Sequence, residues 1–132
     1  MNYTQIKIVF KAWSEKYISE DELVIFKLSG DYHYIKYFNN EGQAHRTDGP
    51  AVEWADGDKE WWENGQRHRA GGLPAIEYAH GYKAWWENGQ LHRDAGLPAR
   101  EWANGDKAWW VRGKEYTKEQ IERKYNALQK SY

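Results

Sequence analysis

The chain has no cysteine. That excludes a disulfide framework and any thiolate zinc site. It also has no run of the roughly 18 apolar residues that a membrane-spanning helix needs. Its opening stretch, MNYTQIKIVFKAW, lacks the apolar core and small-residue cleavage site of a secretory signal. Charge of one sign is missing too: 19 basic and 20 acidic residues are interspersed, for a formal net charge of -1. Without a basic excess, no strong grip on duplex nucleic acid is expected. These absences suit a soluble, cytoplasmic protein that does not enter a membrane.

What the chain has in quantity is aromatic side chains. Nine Trp and ten Tyr stand among 132 residues, although the mean hydropathy is -1.07. Each ring buries about 150–250 Å², so a few of them can hold a small fold together. At this aromatic content a disordered chain is not expected.

The aromatics are periodic. Trp61-Trp62, Trp85-Trp86 and Trp109-Trp110 recur every 24 residues, and WWENGQ appears twice intact. Glu53, Glu77 and Glu101 fall in register, as do Trp54, Tyr78 and Trp102, and Gly57, Gly81 and Gly105. His68-Arg69 recurs as His92-Arg93, and Leu73-Pro74-Ala75 as Leu97-Pro98-Ala99. A looser copy runs from Tyr37 to Ala51 and contains His45-Arg46. The repeat region spans residues 31–116.

Each repeat carries two turn signals. Asn64-Gly65 and Asn88-Gly89 are hairpin dipeptides, because both residues tolerate positive φ. Asp56-Gly57, His80-Gly81 and Asn104-Gly105 mark the second turn. The short Trp-, Val-, Ile- and Tyr-rich runs between them read as strands. Pro50, Pro74 and Pro98 open strands, where a missing N–H is tolerated. The predicted fold is mainly β, an antiparallel meander of repeated hairpins forming an elongated sheet. Residues 1–30 form an N-terminal segment covering the first repeat, with a strand at Leu23–Leu28 and an ambiguous stretch before it. Residues 117–132 form a C-terminal cap, with a helix over Thr117–Lys130. Thr117 to Gln120 matches a capping box, and Ile121, Tyr125 and Leu128 share one helix face. The whole is expected to be one domain.

Two-residue turns at Asn64-Gly65 and Asp56-Gly57 would set Trp54 opposite Lys59, Val52 opposite Trp61 and Trp61 opposite His68. Side chains alternate along a strand, so the two tryptophans of a pair point to opposite faces. A structural ladder of Trp61, Trp85, Trp109, Trp54, Tyr78, Trp102, His68 and His92 is therefore expected in the core. The other face, with Trp62, Trp86, Trp110, Arg69, Arg93 and Glu77, is the candidate binding surface.

Repetition argues against a catalytic site, which is normally built once. Equivalent histidines two strands apart are separated by about 9–10 Å, so one ion cannot bridge them. We expect His45, His68 and His92 to stack on cross-strand tryptophans. Glu53, Glu77 and Glu101 should pair with arginines such as Arg69 and Arg93. The glycines sit at turns and form no phosphate loop. No enzyme, cofactor or metal is expected.

The pattern W-W-x-N-G-x-x-H-R-x-x-G-x-P-A resembles a tandem repeat of phage and large-virus proteins, and is similar to the variant MORN repeat. The resemblance covers about two thirds of the chain. The His-Arg and Leu-Pro-Ala segments depart from the usual MORN consensus. MORN resemblance implies stacked hairpins that contact proteins or lipids. The viral resemblance implies an accessory protein that binds and inhibits a host defence protein. The alternative is a binder of a nucleotide or single-stranded nucleic acid, stacking bases on Trp62, Trp86 or Trp110.

Overall fold

The computed structural model describes residues 23–29 and 32–129. The ambiguous stretch before Leu23 lies outside them. The chain divides into two compact units, Met1–Gln66 and Arg67–Tyr132.

In the first unit, β1 (Leu23–Ser29) pairs antiparallel with β2 (Tyr32–Phe38), and β2 pairs with β3 (Val52–Trp54). β3 pairs in turn with β4 (Lys59–Glu60), and β5 (Trp62–Glu63) leads into the Asn64-Gly65 turn. β6 (Gln66–Arg67) carries the chain over the boundary. In the second unit, β7 (Ile76–Glu77), β8 (Lys83–Ala84), β11 (Arg100–Glu101) and β12 (Lys107–Val111) form an antiparallel sheet in that order. The hairpin β9–β10 (Trp86–Glu87, Gln90–Leu91) projects from it, and β13 (Lys114–Tyr116) pairs with the end of β12. The helix α1 covers Lys118–Gln129. The expected fold class is therefore present: antiparallel sheets of short hairpin strands with one C-terminal helix among the described residues.

The hairpin dipeptides behave as their chemistry requires. Asn64 and Asn88 have φ of 48° and 50°, each followed by a glycine at 79°. Both residues are left-handed, as a type I′ turn demands. The second turn differs from expectation. Val52 pairs with Glu60 and Glu53 with Lys59, and the Trp54 amide bonds the Asp58 carbonyl at 2.9 Å. The loop is thus three residues, Ala55-Asp56-Gly57, rather than two. Ala79-His80-Gly81 and Asn104-Gly105 with Ala103 repeat it, closed by Tyr78–Tyr82 and Trp102–Asp106 backbone bonds. The loop glycine takes positive φ (99°, 107° and 93°), the geometry of a type I turn followed by a left-handed residue. One extra loop residue shifts the register by one, so Trp54 does not face Lys59 and Val52 does not face Trp61.

That shift changes the core. Trp54 and Trp102, expected inside, are both 37% exposed. Each immediately precedes the three-residue loop, so both stand at the end of a hairpin. Trp54 leans on Tyr34 (4.7 Å between centroids), and Trp102 leans on Tyr82 (5.6 Å). The second unit's core is instead Ile76, Ala84 and Leu91, with Tyr78, Tyr82, Trp86 and Trp110 packed against it.

The strand also breaks at the first tryptophan of the first two pairs, whereas β12 runs unbroken through Trp109-Trp110. Residues 61 and 85 belong to no strand, so the hairpin after each leaves the main sheet. Backbone bonds tie each hairpin to the preceding His-Arg segment. In the first unit, His45 Nδ1 accepts the Asn64 amide at 3.0 Å. In the second, His68 Nδ1 accepts the Asn88 amide (3.1 Å) and His92 Nδ1 accepts the Arg112 amide (3.0 Å). Gly89 N bonds the Arg67 carbonyl and Gly113 N the Leu91 carbonyl, each at 2.9 Å. The histidines thus serve as acceptors that hold the turn, where tryptophan stacking was expected.

The C-terminal cap begins as its sequence requires. Thr117 Oγ1 accepts the Gln120 amide (3.1 Å), and Gln120 Oε1 accepts the Thr117 amide (2.8 Å). This reciprocal pair satisfies two amides that a helix start leaves free. Ile121 is buried and Tyr125 is exposed, while the Leu128 side chain lies outside the described residues.

Candidate functional site

The repeated polar residues are mostly consumed by structure. Arg46 Nη1 bonds the Pro50 carbonyl (3.2 Å) and stands 3.9 Å from Glu53. Arg69 Nη1 bonds the Pro74 carbonyl (3.0 Å) and Glu77 (3.1 Å), and Arg93 Nη1 bonds the Pro98 carbonyl (3.1 Å) and Glu101 (3.4 Å). The expected glutamate–arginine ladder is present. Its arginines cover the first tryptophan position rather than the second: Arg93 lies 3.8 Å from the Trp85 ring centre, and Arg46 lies 4.0 Å from Tyr37, which holds that position in its repeat.

The two tryptophan sets therefore do not divide into core and surface. Trp85 is 6% exposed, sealed by Arg93, and its Nε1 donates to the Gly72 carbonyl at 3.0 Å. Trp109 Nε1 donates likewise to Gly96 (3.2 Å), and Trp61 and Trp109 are half-buried. On the candidate surface, Trp62, Trp86 and Trp110 are also half-buried. Trp62 Nε1 donates to Glu60 at 3.1 Å. The Nε1 atoms of Trp86 and Trp110 are buried without a partner, so their polar edges face inward. Trp86 and Trp110 pack against the core, and the Arg93 guanidinium stacks on Trp85.

A cleft of about 240 Å³ opens in the second unit beside Trp85 and Trp86. Arg69 and Arg93 line it, as do Glu87, His92 and Asp94. Leu73 (49% exposed) and Leu97 (46% exposed) stand at it together. They are equivalent positions of two successive repeats, and the Pro-Ala segment that follows each is buried. Burial of Pro74-Ala75 and Pro98-Ala99 forces the preceding leucine outward. An apolar side chain held in solvent by its backbone is a candidate contact residue.

One corner of this cleft is built only once. Asp94 and Ala95 stand where the previous repeat has Ala70 and Gly71. His92 Nε2 bonds Asp94 Oδ1 at 2.8 Å and lies 3.6 Å from Glu87 Oε2. These three groups could in principle hold a metal, since their donor atoms lie within 4.8 Å of one another. The imidazole argues against it. A metal-bound histidine donates its other ring N–H to an acceptor. His92 Nδ1 instead receives the Arg112 amide, so the neutral ring carries its proton on Nε2 and has no lone pair to give. The chemistry fits a hydrogen-bond donor that holds the Asp94 carboxylate, with the Glu87 carboxylate close by. Sequence inspection alone singled out repeated residues and passed over Asp94 and Ala95; their departure from the repeat was the available signal.

Ala95 has φ of 64°, a left-handed conformation that costs an L-residue with a Cβ roughly 1–2 kcal/mol. Gly71, its equivalent, has φ of 81° and open space around it. Ala95→Gly should relieve that strain and lose part of it to the freer unfolded chain, for a net stabilisation of roughly 0.5 kcal/mol. A chemical denaturation midpoint that falls on this substitution would contradict the strain.

No protein-family model, curated protein or solved structure matches the chain. No helix among the described residues is long and apolar enough to cross a membrane.

Proposed function

We propose that the chain is a non-catalytic protein-binding module and that its partner docks at the second unit's cleft. The observation that carries this reading is the exposure of Leu73 and Leu97 at one cleft that Trp85 and Trp86 also line. Apolar anchors ringed by polar groups are the usual composition of a protein interface. The resemblance to viral tandem repeats adds the identity class: the partner is a host defence protein, and the chain inhibits it by occupying its surface. No enzymatic step enters this reading, since the repeated acids and bases are spent on ion pairs and backbone caps.

The nucleotide alternative is weaker on electrostatic grounds. Phosphate recognition needs arginine groups available to an anion. Arg69 and Arg93 already bond Glu77 and Glu101, and two further carboxylates, Glu87 and Asp94, line the cleft.

Capture from a host lysate tests the module. The intact chain should retain a defined partner, and a Leu73→Asp, Leu97→Asp double variant should lose it while keeping its melting temperature. Equal capture by both would remove the cleft from the interface. Saturable quenching of tryptophan fluorescence by a nucleotide, with no protein captured, would favour the alternative.

A further inference from the structure

The cleft has an acidic corner in which Asp94, absent from the preceding repeat, joins the repeated Glu87 and His92. We propose that it is a docking pocket for a lysine or arginine side chain of the partner protein. The cationic head would sit on Glu87 and Asp94, and the aliphatic stem would lie on Leu73 and Leu97. The inference rests on the protein-binding reading above and names the chemistry of the segment bound.

Four observations support it. First, Glu87 and Asp94 bring carboxylate oxygens within 4.8 Å of one another, with one neutral donor, His92 Nε2–H, between them. Two negative charges this close repel, and a cation between them relieves the repulsion. Second, neither carboxylate has a lysine or arginine partner among the described residues, whereas Glu77 and Glu101 each have one. The cleft therefore presents unneutralised negative charge, with its own arginines already spent. Third, the volume is about 240 Å³. Apolar cavities of about 150 Å³ accept a benzene-sized guest, so one extended side chain fits. A lysine or arginine has the required two parts, an apolar stem and a charged end. Fourth, the corner departs from the repeat at two adjacent positions, Asp94 for Ala70 and Ala95 for Gly71. The second departure keeps a left-handed backbone at a residue that disfavours it. Strain kept against the pattern of the scaffold is a mark of a site.

The same geometry separates this ligand from a metal. His92 offers a proton rather than a lone pair, so it can hold the Asp94 carboxylate for an ammonium or guanidinium group but cannot coordinate an ion.

The test uses the full chain, labelled with ¹⁵N, and a capped Leu-Lys-Leu peptide as probe. Saturable amide shifts are expected at residues 94–97. An otherwise identical Leu-Glu-Leu peptide should give none. Asp94→Ala restores the residue of the preceding repeat and should fold normally, yet weaken the peptide by about two- to fivefold, the loss of one exposed ion pair. Adding Glu87→Gln should weaken it further. Equal binding of the glutamate peptide, or unchanged affinity in the double variant, would overturn the proposal. So would spermidine binding as tightly as the peptide, which would make the site one for free polyamine, or zinc shifting the His92 signals at stoichiometric concentration. The outcome is separable from that of the module itself. If the lysate partner is retained by Asp94→Ala as well as by the intact chain, the cation pocket fails and the module stands. If no partner is retained by either, the module reading fails.

Discussion

Truncating Trp85 to alanine is expected to lower stability by about 3–5 kcal/mol, the range for removing a large buried aromatic. The ring is 6% exposed, carries Arg93 on one face and anchors the Gly72 carbonyl through Nε1. Removing it empties the space beneath Arg93 and leaves that carbonyl without its donor. Trp85→Phe should recover most of the packing and lose about 1 kcal/mol for the hydrogen bond. Trp54→Ala, at an exposed hairpin end, should cost far less. Chemical denaturation of the three variants gives the comparison. Equal losses at Trp54 and Trp85 would contradict the burial described here.

Arg93→Ala is expected to cost about 2–3 kcal/mol, more than a surface ion pair would. Its guanidinium joins three things at once: the Pro98 carbonyl, the Glu101 carboxylate and the Trp85 ring. A planar fork meets these demands together, and an ammonium group does not. Arg93→Lys should therefore recover less than half of the loss. Midpoints measured in low and high salt divide the effect. A loss that vanishes in salt would reduce Arg93 to a simple surface charge.

Much of the fold was legible because glycine and asparagine fix backbone geometry locally. Asn64-Gly65 and Asn88-Gly89 identified two hairpins, and Thr117 with Gln120 identified the helix start. The dipeptides Asp56-Gly57, His80-Gly81 and Asn104-Gly105 were less informative. A glycine preceded by a polar residue suits a two-residue loop and equally the last position of a three-residue one. The difference is one residue of register, and it moved Trp54 and Trp102 from the expected core to exposed hairpin ends. The strand breaks at Trp61 and Trp85 were not legible either, since no proline or glycine marks them. The hairpin turns that follow them are held by His45 Nδ1 and His68 Nδ1, which accept the Asn64 and Asn88 amides, contacts some 20 residues away in sequence.

For the candidate site, repetition hid what mattered. Residues that recur, such as Arg69, Arg93, Glu77 and the tryptophans, are those that every repeat needs to fold. Arg69 and Arg93 line the cleft, but Trp62, Trp86 and Trp110 form no shared exposed platform within either unit. Chemistry available to a partner lies in what escapes those duties: the outward leucines before each buried Pro-Ala, and Asp94, which completes a corner with Glu87 and His92 in one repeat alone.

Hydrogen exchange of the full chain, with and without its captured partner, tests this account most directly. Amides of residues 70–73 and 94–97 should gain protection on binding, and those around Trp54 and Trp102 should not change. Protection confined to the aromatic hairpin ends, with the leucine loops exchanging freely, would contradict it.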